Sequence, residues 1–139
     1  MLDCVSNLVQ AMAGDGTIVR YAHMELAEPS IAAGFAACVK AGATEIVAFP
    51  YMLSPGKHST GDIPRLVAAA AALAPDVRYS VAPAFGVHEK LAELILLRAG
   101  IAPNVIDADR CWHWTETPRT CGDACRCAGV ATTASSRTA

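Results

Sequence analysis

The strongest constraint on this chain is the order of its apolar segments. Residues 1 to about 103 alternate helix-type and strand-type hydrophobic patterns, each closed by turn residues. Leu2, Val5, Leu8, Val9 and Met12 fall at helical spacing, and Gly14-Asp15-Gly16 ends that run. Ile18 to Met24 reads as a strand, and Pro29 opens a second helix that stops at Gly42. Glu45 to Met52 reads as another strand, with Ile46, Val47 and Phe49 in a buried-type run. A loop from Leu53 to Gly61 follows. Asp62 is placed to cap a third helix, with Pro64 in its first turn and an alanine block running to Leu73. Val77 to Ala82 reads as a third strand, and Val87 to Ala99 as a fourth helix ended by Gly100. Strict alternation predicts an α/β domain, a parallel sheet flanked by helices in three layers. Such domains usually open on a strand and this chain opens on a helix, so the expectation is either a sheet whose first strand is missing or a reduced domain.

Composition narrows the function classes. Of the 139 residues, 53% are hydrophobic and 17% charged, so one compact core is expected and disorder of the whole chain is excluded. The net charge is −2, and no Lys/Arg cluster points to nucleic acid or a membrane surface. Apolar runs such as Val67 to Ala74 are too short to span a bilayer. Met12, Met24 and Met52 read as core filler, and Cys4 and Cys38 as small buried apolar residues on helices. From residue 104 the alternation stops. Cys111, Cys121, Cys125 and Cys127 follow, spaced C-x9-C-x3-C-x-C, with Trp112, His113 and Trp114 beside the first. The stretch 131–139 is polar and small and reads as disordered. The chain therefore divides into a domain at 1–103 and a Cys-rich tail at 104–139.

Parallel sheets bind ligands beyond the carboxyl ends of their strands. That rule selects His23 to Ser30, after the first strand, and Pro50 to Pro64, after the second. If those strands are neighbours, Glu25 and His58 converge on one cleft. Imidazole with carboxylate suits a divalent transition metal, and imidazole also takes up a proton near neutral pH. Each residue has a plainer alternative. His58 reads as a solvated loop residue, and Glu25 as a helix N-terminal charge favoured by the dipole. His23 reads as a strand-end histidine bonded to a carbonyl, and His88 as a polar residue at a helix start. Lys57 and Arg65 read as surface charge. The four clustered thiols match a 2Fe–2S cluster or structural zinc in number, with disulfides or unpaired thiols also open and His113 as a further ligand.

Several linked motifs carry a family resemblance. Ala22-His23-Met24-Glu25-Leu26-Ala27-Glu28-Pro29-Ser30, Pro50-Tyr51-Met52-Leu53-Ser54-Pro55-Gly56-Lys57-His58, Asp62-Ile63-Pro64 and Ala82-Pro83-Ala84-Phe85-Gly86-Val87-His88 together resemble the small sirohydrochlorin chelatases, class II chelatases of flavodoxin-like fold. The first motif and the Cys-rich end look closest to the plant and algal ferrochelatase branch. The resemblance implies a lyase that inserts Fe²⁺ into sirohydrochlorin in sirohaem synthesis. It implies a homodimer in the plastid stroma (or the cytoplasm of a prokaryote), with a 2Fe–2S cluster near the C-terminus, for which Cys111, Cys121, Cys125 and Cys127 are the candidate ligands although their spacing past Cys111 departs from the plant pattern. It assigns His58 as metal ligand or proton acceptor and Glu25 as a carboxylate near the metal. Lys57, His88 and His23 then become contacts of the polycarboxylate substrate. The family's opening strand and its His-Gly-Ser-Arg-type motif have no counterpart here, so upstream sequence is expected to restore full activity. The alternatives are a cobalt-inserting chelatase of cobalamin synthesis, a non-catalytic metal or tetrapyrrole-binding module, and a protein whose metal-binding tail is its main function.

Overall fold

The computed structural model describes residues 1–105. Four α-helices, α1 (Leu2–Ala13), α2 (Ile31–Lys40), α3 (Ile63–Ala71) and α4 (Glu89–Arg98), accompany two strands, β1 (Glu45–Ala48) and β2 (Arg78–Val81). A π-helical turn, His58–Asp62, leads directly into α3. These residues fall into two compact units. The first comprises Met1–Pro50 with Gly56–Ala82; the second takes Tyr51–Pro55 together with the chain from Pro83 onward.

In the first unit β1 and β2 pair in parallel, Glu45 opposite Arg78 through Ala48 opposite Val81. Backbone bonds Arg78 N–H to Thr44 O and Ala82 N–H to Ala48 O extend the ladder at both ends. The π-turn and α3 form the crossover that a parallel pair requires. The core lies where α3 meets α2 and β2. It is built from Phe35, Ile63, Val67, Ala70 and Ala71, with Pro50 fully buried beside them. The alanine block of α3 serves close approach: Ala70 and Ala71 are buried small residues one turn beyond Val67, which is only 2% exposed.

The expected strand at 18–24 does not form. That segment is extended, and its only ladder contact among the described residues is a single parallel bridge between His23 and Ser30. Its backbone is satisfied by a side chain instead. The Gln10 amide donates from Nε2 to Thr17 O and Gly14 O, and its Oε1 accepts from Val19 N–H. One carboxamide thus supplies the donor and acceptor that a neighbouring strand would otherwise present. The sheet among the described residues therefore has two strands, not three, and both are shorter than their apolar runs.

Gly34 explains where that segment goes. A Cβ at this buried position of α2 would stand 3.0 Å from Ala22 Cβ and 3.4 Å from Tyr21 O. Glycine in a helix interior costs about 1 kcal/mol against alanine, and here it permits the segment to lie directly on α2. Gly34→Val is expected to destabilise the fold by about 1–3 kcal/mol through overpacking. Urea unfolding would show this as a lower midpoint with an unchanged slope.

One apolar face and two cysteines differ from expectation. No residue of α1 is buried, and Met12, expected in the core, is 79% exposed. Cys4 is exposed rather than buried; Cys38 is half-buried, and burial pushes its thiol up, with Arg20 acting weakly in the opposite direction. In the second unit Phe85 N–H bonds Met52 O, and the Tyr51 and Phe85 rings meet edge-on at 5.1 Å. There α4 ends on Gly100, whose positive φ of 70° lets Ile101 N–H reach back to Leu96 O.

Candidate active site

Two segments of the first unit carry the chemistry-bearing side chains. The first is the turn 23–30. His23 N–H bonds Pro29 O at 2.7 Å, which closes the turn on itself. Glu28 Oε2 accepts from Ser30 N–H, and Ser30 Oγ accepts from Ala33 N–H to cap α2. Glu28 is thereby committed to the backbone, whereas Glu25 is exposed in the same turn. The His23 ring packs edge-on against Tyr21, with centroids 5.9 Å apart. Leu26 has a φ of +65°, an unfavourable region for a non-glycine residue, and its side chain is 99% exposed. The turn encloses an open hollow of about 510 Å³, lined by His23, Met24, Glu25, Leu26, Ala27, Glu28 and Ser30. Carboxylates and an imidazole therefore share one concave surface.

The second segment is the π-turn, where a loop was expected. Gly56 anchors it. Its N–H donates to Ser59 Oγ, and its carbonyl accepts from the Ser59 hydroxyl, the Thr60 hydroxyl and Thr60 N–H. Ser59 is buried, so these bonds hold the backbone on either side of His58. Ile63 N–H bonds His58 O, the five-residue reach that defines a π-turn. Asp62 makes no capping bond to the start of α3, contrary to its expected role. Its Oδ2 instead accepts from His58 Nδ1 at 2.9 Å, and its Oδ1 lies 4.0 Å from Arg65. The His58 side chain remains 55% exposed.

The remaining expected residues sit as follows. Lys57 is exposed, immediately before the π-turn. His88 belongs to the second unit, where its Nδ1 accepts from Lys90 N–H at the start of α4. Glu25 and His58 lie on different segments, and His58 does not line the hollow around Glu25. Among the described residues no group of three or more His, Cys, Asp or Glu side chains stands close enough to hold a metal. Cys111, Cys121, Cys125 and Cys127 lie outside the described residues. The sequence pattern pointed to His58 and Glu25 but missed Gln10, Ser59 and Thr60. The hydroxyls after Gly56 read as ordinary loop polarity, although here both bond back to Gly56 and hold the turn.

The sequence profile of the CbiX family matches residues 2–102. The chain belongs to the CbiX family. Individual proteins place it more closely. It is 41% identical over 96 residues to "Sirohydrochlorin ferrochelatase, chloroplastic" of Arabidopsis thaliana, covering 68% of this chain and 43% of that protein. It is 39% identical over 75 residues to the sirohydrochlorin ferrochelatase of Bacillus subtilis strain 168, covering 54% of this chain and 29% of that one. Among solved structures it matches the sirohydrochlorin chelatase SirB of Bacillus subtilis subspecies spizizenii in complex with cobalt. That match has a TM-score of 0.58 and 32% identity, over 70% of this chain and 42% of SirB. The CbiX fold, a small parallel sheet with flanking helices, is thus shared with SirB. The chain spans less than half the length of these relatives. Among the described residues no helix is long and apolar enough to cross a membrane.

Proposed function

We propose that this chain works in the insertion of Fe²⁺ into sirohydrochlorin, a metal-chelatase (lyase) step of sirohaem synthesis. What carries the reading is the exposed His58 imidazole, held through Nδ1 with no hydrogen bond at Nε2 among the described residues, in a chain of this family. Ferrochelatase relatives support iron, and the cobalt complex of SirB supports Co²⁺ as the second metal this site accepts.

The reaction exchanges two pyrrole N–H protons for one divalent ion: macrocycle-H₂ and Fe²⁺ give the iron macrocycle and two protons. It needs a ligand that holds the ion and lets go, and a base for the protons. In this reading His58 Nε2 holds the incoming ion or takes a proton, and the Glu25 carboxylate does the other task. Lys57 offers a charge-assisted hydrogen bond to the substrate's carboxylates, and His23 a further donor; His88, in the second unit, is a separate candidate substrate contact. The working form is a homodimer. The exposed apolar residues Leu8, Val9 and Met12 of α1 support this, since a lone domain rarely leaves such a row uncovered. The chloroplastic relative supports a plastid location. The chelatase part is residues 1–103. In the tail, the four thiols of Cys111, Cys121, Cys125 and Cys127 fit by donor chemistry a 2Fe–2S cluster, which accepts four thiolates.

The test is anaerobic incubation of the full chain with sirohydrochlorin and Fe²⁺, followed by the absorbance of the macrocycle. The metal-free spectrum is expected to decay faster than without protein, with the rate lowered about 10²–10⁴-fold in Glu25→Gln. A rate equal to the protein-free rate overturns the reading.

A further inference from the structure

The His58–Asp62 contact carries more than a helix-stabilising pair. The Asp62 carboxylate has no proton to give, so the 2.9 Å bond to Nδ1 requires the proton on the imidazole nitrogen. A neutral His58 is therefore fixed as the Nδ1–H tautomer, and the lone pair is on Nε2. In water the free imidazole prefers the opposite tautomer, which places its proton on the nitrogen a metal would need. Residues four apart lie on one side of a helical turn, which brings Asp62 to His58, and the Gly56, Ser59 and Thr60 bonds hold that turn. The other carboxylate oxygen faces Arg65 across 4.0 Å.

We propose that Asp62 is a positioning residue for His58: it selects the tautomer and the ring orientation that present Nε2 to the metal. This rests on the reading of His58 as a metal-site residue. Metal-binding histidines commonly give their second N–H to a carboxylate, and removing that partner costs about 10–100-fold in metal affinity or activity. The test uses the full chain with Co²⁺ as the probe, in four forms: unchanged, Asp62→Ala, Asp62→Asn and His58→Ala. Two quantities are read: the ¹⁵N signals of the His58 ring, which report the tautomer, and Co²⁺ affinity by optical titration.

The expected result for Asp62→Ala is a shift of the ring toward the Nε2–H tautomer and a Co²⁺ affinity weaker by about 10–100-fold. Asp62→Asn, whose amide oxygen still accepts from Nδ1–H, retains the tautomer and most of the affinity. A purely structural pair would lower the thermal midpoint of Asp62→Ala and leave the tautomer unchanged; that result overturns the proposal. If the tautomer shifts in Asp62→Ala and Co²⁺ affinity stays the same, the positioning role in metal binding is overturned. Should His58→Ala bind Co²⁺ as tightly as the unchanged chain, the underlying reading of His58 fails, and the ¹⁵N signals still report separately on the Asp62 contact.

Discussion

Replacing His58 by alanine is expected to lower Fe²⁺ insertion into sirohydrochlorin by roughly 10²–10⁴-fold, the loss typical when a ligand or proton acceptor leaves the reacting centre. The fold should hardly notice. The side chain is 55% exposed and sits at a turn whose backbone is held by Gly56, Ser59 and Thr60. Its partner Asp62 keeps water and Arg65 as alternatives. Surface substitutions of this kind cost about 0.5 kcal/mol or less. The measurement is therefore a pair: the insertion rate from macrocycle absorbance and the thermal midpoint by circular dichroism. Loss of rate at an unchanged midpoint is the expected signature. An unchanged rate would remove His58 from the chemistry.

The second large effect concerns stability. Phe35 is 6% exposed and is the largest side chain of the small core between α2 and α3. Phe35→Ala removes its apolar contacts and leaves a cavity, at a cost of about 3–5 kcal/mol. That is a large part of the roughly 5–15 kcal/mol available to a domain. A thermal midpoint lower by more than about 10 °C is expected. Leu73→Ala is the matched control: Leu73 is 85% exposed just past the end of α3, and its loss should cost about 0.5 kcal/mol or less. Equal losses at the two positions would show that the α2–α3 contact is not the core.

What could be read from the residues follows from how local each signal is. The four helices are legible because their periods and stops are local: Gly14, Gly42 and Gly100 each fall just past a helical run. The β1–β2 pair is legible because βαβ alternation leaves a parallel arrangement as the natural pairing. The segment 18–24 has the apolar composition of a strand, but a strand exists only through its neighbour. No local pattern reveals that Gln10 occupies that place. The π-turn is hidden for a related reason. Gly56-Lys57-His58-Ser59-Thr60-Gly61 has the composition of a loop, and its order comes from bonds back to Gly56. Asp62 has the type and position of a cap, and capping preferences weigh those alone. They do not register a histidine four residues earlier that competes for the carboxylate.

The hydrogen bonds of Gln10 have a consequence for how this protein avoids sticking to itself. An extended stretch with unpaired amides and carbonyls invites another chain to add a strand. At Thr17 and Val19 the two groups that would begin such a ladder are already occupied by a side chain from the preceding helix. An incoming strand must first displace that tethered carboxamide. A single residue of α1 thus guards a backbone edge, a protection that replacing Gln10 with leucine of similar size would remove while leaving the helix itself intact.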